Sequence, residues 1–142
     1  MFRYNILTEE VKSDFAFEVY SNSLSELFRG AGKAMMEAMV ELNEFKATRT
    51  WEINLESDTL ELLLYDFLSE LVYLKDVDVA LFEDYEIEIK ENSTFSLFCI
   101  AHGSEINYEK DVLLTDVKAV TMYKFLIEKK DEEWYCHVIL DL

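Results

Sequence analysis

Two aspartates carry the clearest chemistry in this sequence. Asp14 opens the stretch Phe15-Ala16-Phe17-Glu18-Val19-Tyr20, whose residues are otherwise mostly aromatic or apolar, and Asp141 follows Val138-Ile139-Leu140. If the chain ends at Leu142, its terminal carboxylate joins Asp141, giving two adjacent anions at a strand end. Neighbouring carboxylates repel unless a cation or hydrogen-bond donors stand between them. Hard oxygens of this kind suit Ca²⁺ or Mg²⁺. The competing reading is a solvent-exposed strand end that needs no partner.

Other reactive side chains offer less. The histidines are His102 and His137, and the cysteines are Cys99 and Cys136. In a strand, residues one or three apart point to opposite faces, so neither Cys99 with His102 nor Cys136 with His137 offers two ligands to one ion. Buried structural cysteines are the expectation, and a zinc site is disfavoured. No serine elbow or glycine-rich phosphate loop occurs. The acidic run Asp76, Asp78, Glu83, Asp84, Glu86, Glu88 and Glu91 reads as a solvated strand face and loop.

The elements that must position these groups follow from periodicity and capping. Phe2 to Leu7 and Asp14 to Tyr20 read as strands. Ser23 is the expected N-cap of a helix to about Leu42, with Glu26 completing a capping box. Gly30 and Gly32 inside that helix imply close packing of another element. Thr48 to Leu55 is a third strand. Asp58 and Glu61 suggest a second capping box, opening a helix to about Leu74 that is apolar over more than half its circumference and expected to be the more buried of the two. Leu81 to Lys90 and Thr94 to His102 pair as a hairpin across Asn92-Ser93. Gly103 to Leu114 reads as a loop. Asp116 to Lys129 is one long strand, and Trp134 to Leu140, apolar on both faces, is a central one. Tyr65, Tyr73 and Trp134 are expected in the core. The order ββαβαββββ describes an α+β fold, a single domain over residues 1–142 with two helices packed on a mixed or antiparallel sheet.

Composition bounds the function. The 142 residues include 51% hydrophobic and 14% aromatic side chains, which excludes a disordered chain. Lys and Arg total 13 against 30 Asp and Glu, a formal charge of −17. A direct nucleic-acid binder needs basic patches, so none is expected here. A divalent cation or a basic protein partner fits instead. No membrane span and no signal pattern is read, and a reduced cytoplasmic setting is expected. Oligomeric state is not legible.

Four segments in order resemble the archease family. They are Asp14-Phe15-Ala16-Phe17-Glu18-Val19-Tyr20 with Ser23-Leu24-Ser25-Glu26-Leu27-Phe28 and Ala34-Met35, the Leu-rich run Leu60 to Leu74, Asp116-Val117-Lys118-Ala119-Val120-Thr121, and Val138-Ile139-Leu140-Asp141-Leu142. The resemblance implies a non-enzymatic activator of the RtcB-type RNA ligase in tRNA splicing and RNA repair. Such a protein helps the ligase take GMP onto its active-site histidine and turn over repeatedly. It also implies a divalent ion held by Asp14 and Asp141 with Leu142 assisting, the same atoms that the charge argument selects. The family usually reads His-Thr-Ala-Asp where this chain has Val11-Lys12-Ser13-Asp14, and an aromatic residue then His where Met122-Tyr123 stand here. Alternatives from other classes are a metal-dependent phosphoesterase and an acidic chaperone for an RNA-modifying methyltransferase.

Overall fold

The computed structural model describes residues 1–7, 14–42 and 45–142. Val11, Lys12 and Ser13 lie outside the described residues. The elements are β1 (Phe2–Ile6), β2 (Phe15–Ser21), α1 (Leu24–Met39), β3 (Arg49–Ser57), α2 (Leu60–Asp78), β4 (Ala80–Glu91), β5 (Phe95–Glu105), β6 (Ala119–Lys130) and β7 (Glu133–Asp141). This is the expected ββαβαββββ order. The strands divide into two sheets, β1-β2-β7-β6 and β3-β5-β4, and every pairing is antiparallel. β7 is interior to its sheet, as its two apolar faces predict.

α1 packs on β1, β2 and β7 of one sheet and on β4 of the other, while α2 packs on β6 and on the whole three-stranded sheet. Each helix therefore bridges both sheets, and the core fills the space between. The two glycines of α1 mark how closely it is held. A Cβ on Gly30 would stand 2.8 Å from the Phe2 ring and from Val19, and one on Gly32 would stand 2.6 Å from the Tyr85 ring. One glycine admits the first sheet and the other admits the second, so α1, not α2, is the more buried helix. The leucine content of α2 pointed the other way because composition does not reveal how many faces are covered.

Several boundaries differ from expectation for physical reasons. α1 stops at Met39 because Val40 turns extended and bridges Leu113, with Glu41 N–H donating to the Val112 carbonyl. Its N-cap is Ser23, whose hydroxyl accepts from Glu26 N–H, but the reciprocal half of the box is missing. Ser23 N–H donates to the Ser21 hydroxyl, and Glu26 pairs with Arg29. α2 is capped by Thr59, accepting from Leu62 N–H, rather than by Asp58, and it runs on to Asp78. β5 extends through Gly103, which lies inside the sheet rather than in a loop. A Cβ there would collide with the Leu81 carbonyl, beside the bulge between Phe82 and Asp84 in β4.

Candidate functional site

The paired strands β2 and β7 bring Asp14 and Asp141 to the same end of one sheet. Their register runs from Ser21↔Trp134 to Phe15↔Leu140. Asp14 is the bend residue one position before Phe15, and Asp141 is one position after Leu140. Directly opposed residues in an antiparallel pair share a face, with Cβ atoms about 4.5–5.5 Å apart. β6 extends the same row, pairing Ala119 with Asp141, and Lys118 N–H donates to the Asp141 carbonyl at 2.8 Å. Asp141 is exposed, Asp14 is half-buried, and the half-buried Leu142 packs on the core.

Alternation fixes which face this is. The neighbouring row, Phe15, Leu140 and Val120, points into the core. The Asp14–Asp141–Ala119 row therefore belongs to the outer face. The next outer row is Ala16, Ile139 and Thr121. Ala16 and Ile139 are only 1% and 2% exposed although they stand outside the main core cluster. The Thr121 hydroxyl is buried and, among the described residues, has no hydrogen-bond partner.

A bulge in β6 stands beside these rows. Thr121 pairs with Ile139 but Leu126 pairs with His137, so Met122 to Phe125 face the single residue Val138. Lys124 is left-handed at φ 54°, and its carbonyl lies 2.9 Å from His137 Nδ1. The uninterrupted strand expected over 116–129 is thereby corrected. Val120 faces the core before the bulge, Phe125 and Ile127 after it, so the inward set changes from even to odd numbers. No glycine, asparagine or aspartate marks the bulge, which left no turn signal in the sequence.

Lys75 is, among the described residues, a buried cation near this end of the molecule, and sequence reasoning missed it. It sits on α2, four residues beyond Leu71, and so continues the apolar stripe. Only 7% of it is exposed. Its ammonium donates to the Val117 carbonyl at 2.6 Å, bonds Asp116 Oδ1, and pairs with Asp76 at 3.0 Å. These contacts fasten the residues that lead into β6, next to the Lys118 N–H that holds Asp141. A lysine four residues past a core leucine, followed by an aspartate, was the available signal.

The other chemically flagged groups serve the fold. Cys99 and Cys136 are free, buried, and lie in different sheets. Burial pushes both thiols up to about 12, so neither is a thiolate near neutral pH. His102 Nε2 stands 2.6 Å from Glu86. In the acidic run expected to be solvated, Asp76, Glu86, Glu88 and Glu91 are exposed, while Asp78, Glu83 and Asp84 are half-buried and partnered. Trp51 Nε1 donates to Asp78, Ala47 N–H to Glu83, and Arg29 binds Asp84 through two nitrogens at 2.7 and 2.9 Å. Tyr73, expected in the core, is 55% exposed, whereas Tyr65 and Trp134 pack against it.

Asp14 and Asp141 stand apart from these pairings. Among the described residues neither carboxylate has an ion pair or side-chain hydrogen bond. Two hard carboxylates on one row suit a divalent cation, with remaining ligands from water or main-chain oxygens. Among the described residues, no group of three or more His, Cys, Asp or Glu side chains could hold a metal. The donor set is therefore spare and all-oxygen. That chemistry fits Ca²⁺ or Mg²⁺ better than zinc.

Known proteins match along nearly the whole chain. Residues 4–142 match the model of the Archease protein family (MTH1598/TM1083). Protein archease of Methanosarcina acetivorans is 33% identical over 135 residues, covering 94% of this chain and 92% of that one. Protein archease of Archaeoglobus fulgidus is 32% identical over 130 residues, covering 92% and 93%. The solution structure of Methanobacterium thermoautotrophicum protein 1598 superposes with a TM-score of 0.84 at 31% identity, covering 99% and 98%. A Thermotoga maritima archease, described as a possible chaperone, shares the fold at a TM-score of 0.64 and 18% identity, covering 96% of each chain. The paired β2 and β7 strands, the two bridging helices and these matches together make the chain a member of the archease family.

Proposed function

We propose that this protein is a non-enzymatic activator of an RtcB-type RNA ligase and that it works through a divalent cation held by Asp14 and Asp141, with Leu142 assisting. The observation that carries the reading is the β2–β7 register, which runs out onto two carboxylates that have no partner among the described residues. Membership of the archease family supports the non-enzymatic role.

A bound Ca²⁺ or Mg²⁺ would neutralise the repulsion between the two carboxylates. The chain's own work is positional. β7 supplies Asp141 from an interior strand, the bend before β2 supplies Asp14, and Lys118 N–H fixes the Asp141 main chain. The ligase handles polyanionic RNA, so its active-site surface is electropositive, and a domain of charge −17 is steered to such a surface. The exposed Asp141 end then meets the ligase and orders its metal or nucleotide ligands for guanylylation.

The test is guanylylation of a cognate ligase at limiting divalent ion, with wild-type protein and with Asp14→Ala and Asp141→Ala separately. Each variant is expected to lose most of the acceleration while remaining folded. Full-speed guanylylation with both variants would reject the carboxylate mechanism. Stimulation of a methyltransferase alone, or phosphoester hydrolysis by the purified chain, would reject the ligase assignment.

A further inference from the structure

β5 breaks the alternation that the other two strands of its sheet keep. Leu97, Cys99 and Ala101 of β5 are buried with Trp51, Ile53 and Tyr85 on the core face. The residues between them belong to the outer face, which is polar when an antiparallel sheet meets water on one side. β3 and β4 follow that rule, with Glu52, Asn54 and Glu56 on one flank and Glu86, Glu88 and Lys90 on the other, all exposed. The central strand instead presents Phe98, 40% exposed, and the half-buried Ile100. The register sets them between polar neighbours, in the rows Glu52–Ile100–Glu86, Asn54–Phe98–Glu88 and Glu56–Ser96–Lys90. A groove of about 550 Å³ follows the last two rows, with Asn54, Glu56, Glu88, Lys90, Ser96 and Phe98 in its lining.

The charges on these three rows select the occupant. Four carboxylates stand there against one ammonium. Lys90 lies 3.6 Å from Glu88 with both side chains exposed, a pairing that is worth little. Glu86 is engaged by His102, and Glu52 by the Asn54 amide. Among the described residues the Glu56 carboxylate has no ion pair or side-chain hydrogen bond. A second copy of this chain would set these carboxylates against their own counterparts, and a nucleic acid would set phosphates against them. A cation with a flat apolar face fits. An arginine guanidinium stacks on an aromatic ring and forks onto a carboxylate, whereas a lysine ammonium is compact and strongly hydrated. Phe98 supplies the ring. Glu88 is directly across from it on β4, and Glu56 is diagonal to it on β3, within reach of a long side chain.

We infer that the outer face of the β3-β5-β4 sheet docks a basic protein partner through an arginine laid on Phe98 between Glu56 and Glu88, with an apolar side chain of the same segment on Ile100. Phe98 and Ile100 are two residues apart on one face, which is the spacing of same-face side chains in an extended segment, so one stretch of partner chain reaches both. The inference does not rest on the ion site, because Asp14 and Asp141 lie at the end of the other sheet.

The experiment is a titration of isotope-labelled protein, followed by amide NMR, with the end-blocked peptide Arg-Gly-Leu-Gly-Arg. The same peptide with lysine for both arginines serves as the control of equal charge. The arginine peptide is expected to bind at least fivefold more tightly than the lysine peptide and to move the amides of Asn54, Glu88, Phe98 and Ile100. Phe98→Ser is expected to remove that preference, and Glu56→Gln with Glu88→Gln to weaken the arginine peptide at least threefold. Asp141→Asn is expected to leave both affinities intact, which separates this surface from the ion site. Equal binding of the two peptides, shifts mapping to another face, an undiminished preference in Phe98→Ser, or full affinity in the double glutamine variant would overturn the proposal. So would a homodimer through this face that Phe98→Ser dissolves, because the occupant would then be a second copy.

Discussion

Lys75 donates to the main-chain carbonyl of Val117 at 2.6 Å from within the buried face of α2. A cation placed on an apolar stripe is costly unless every proton finds an acceptor. Here each does, and the acceptors belong to α2 itself and to the run-in of β6. The lysine therefore acts as a strut between a helix and the strand that flanks Asp141.

Replacing the strut tests this role. Lys75→Met keeps the volume but leaves the Val117 carbonyl without its donor, an expected loss of about 1–3 kcal/mol. The measurement is the urea midpoint, together with hydrogen exchange at the Lys118 amide. Faster exchange there is expected, because the Lys118 bond to Asp141 loses its anchor. Unchanged stability and exchange would show that β6 is held without Lys75.

The carboxylate pair makes an opposite prediction. In the absence of divalent ions Asp141→Asn removes repulsion with Asp14, so the melting temperature is expected to stay level or rise. With Ca²⁺ or Mg²⁺ at about a hundredfold over its dissociation constant, the wild type is expected to gain about 2.7 kcal/mol and the variant nothing. Thermal melts with and without the ion check both halves. A variant that gains as much as the wild type would remove the pair from cation binding.

Gly32 decides how closely α1 meets the second sheet. Tyr85 is buried and its hydroxyl donates to the Gly32 carbonyl at 3.1 Å. Alanine would improve helix propensity by about 1 kcal/mol, but its methyl would press on the ring, and overpacking costs about 1–3 kcal/mol. Gly32→Ala is expected to destabilise on balance. Adding Tyr85→Leu should recover part of the loss in a double-mutant cycle. Strict additivity of the two changes would refute direct contact as the cause.

Asp84 gives the acid side of the stability curve. Burial alone raises its pKa, but hydrogen bonds from Arg29 and from Tyr85 N–H, with the charges of Lys33 and Arg29, outweigh burial and hold the carboxyl below its ordinary value. A lowered folded-state pKa means that the carboxylate's contribution is complete above the ordinary unfolded value. It is then lost as the pH falls through the depressed one. Asp84→Asn is expected to flatten the fall of stability with pH in that acidic window, read from urea midpoints at a series of pH values. The side chain is partly exposed, so high salt should shrink the effect. Identical acid slopes for wild type and variant would place the acid sensitivity elsewhere.

The element order was legible because each strand and helix carries its own period. Ser23 announced α1, and the alternation of Tyr85, Ile87 and Ile89 announced β4. The partition into two sheets was not legible, since it depends on which strands meet across long loops. Asp14 and Asp141 were legible as misfits among apolar neighbours. Their row in the sheet is a matter of register between segments at opposite ends of the chain, which local pattern does not encode. Thr121 and Lys124 escaped because the bulge rests on tertiary contacts, including that of His137 with the Lys124 carbonyl. Lys75 escaped because a lysine after a leucine stripe resembles a helix end until the following turn is seen to continue to Asp78.

The β2–β7 ladder also constrains when the carboxylate pair can exist. The Glu18–Tyr135 contact along that ladder joins residues 117 positions apart. Contacts of such span form slowly because loop closure must come first. On the ribosome β2 stays without its inner neighbour until β7 has emerged. A nascent or prematurely terminated product that lacks β7 has no second aspartate to offer. The two aspartates are thus brought to one row only after β7 has been made and has joined β2, which makes the pair a late product of folding rather than a feature of either segment alone.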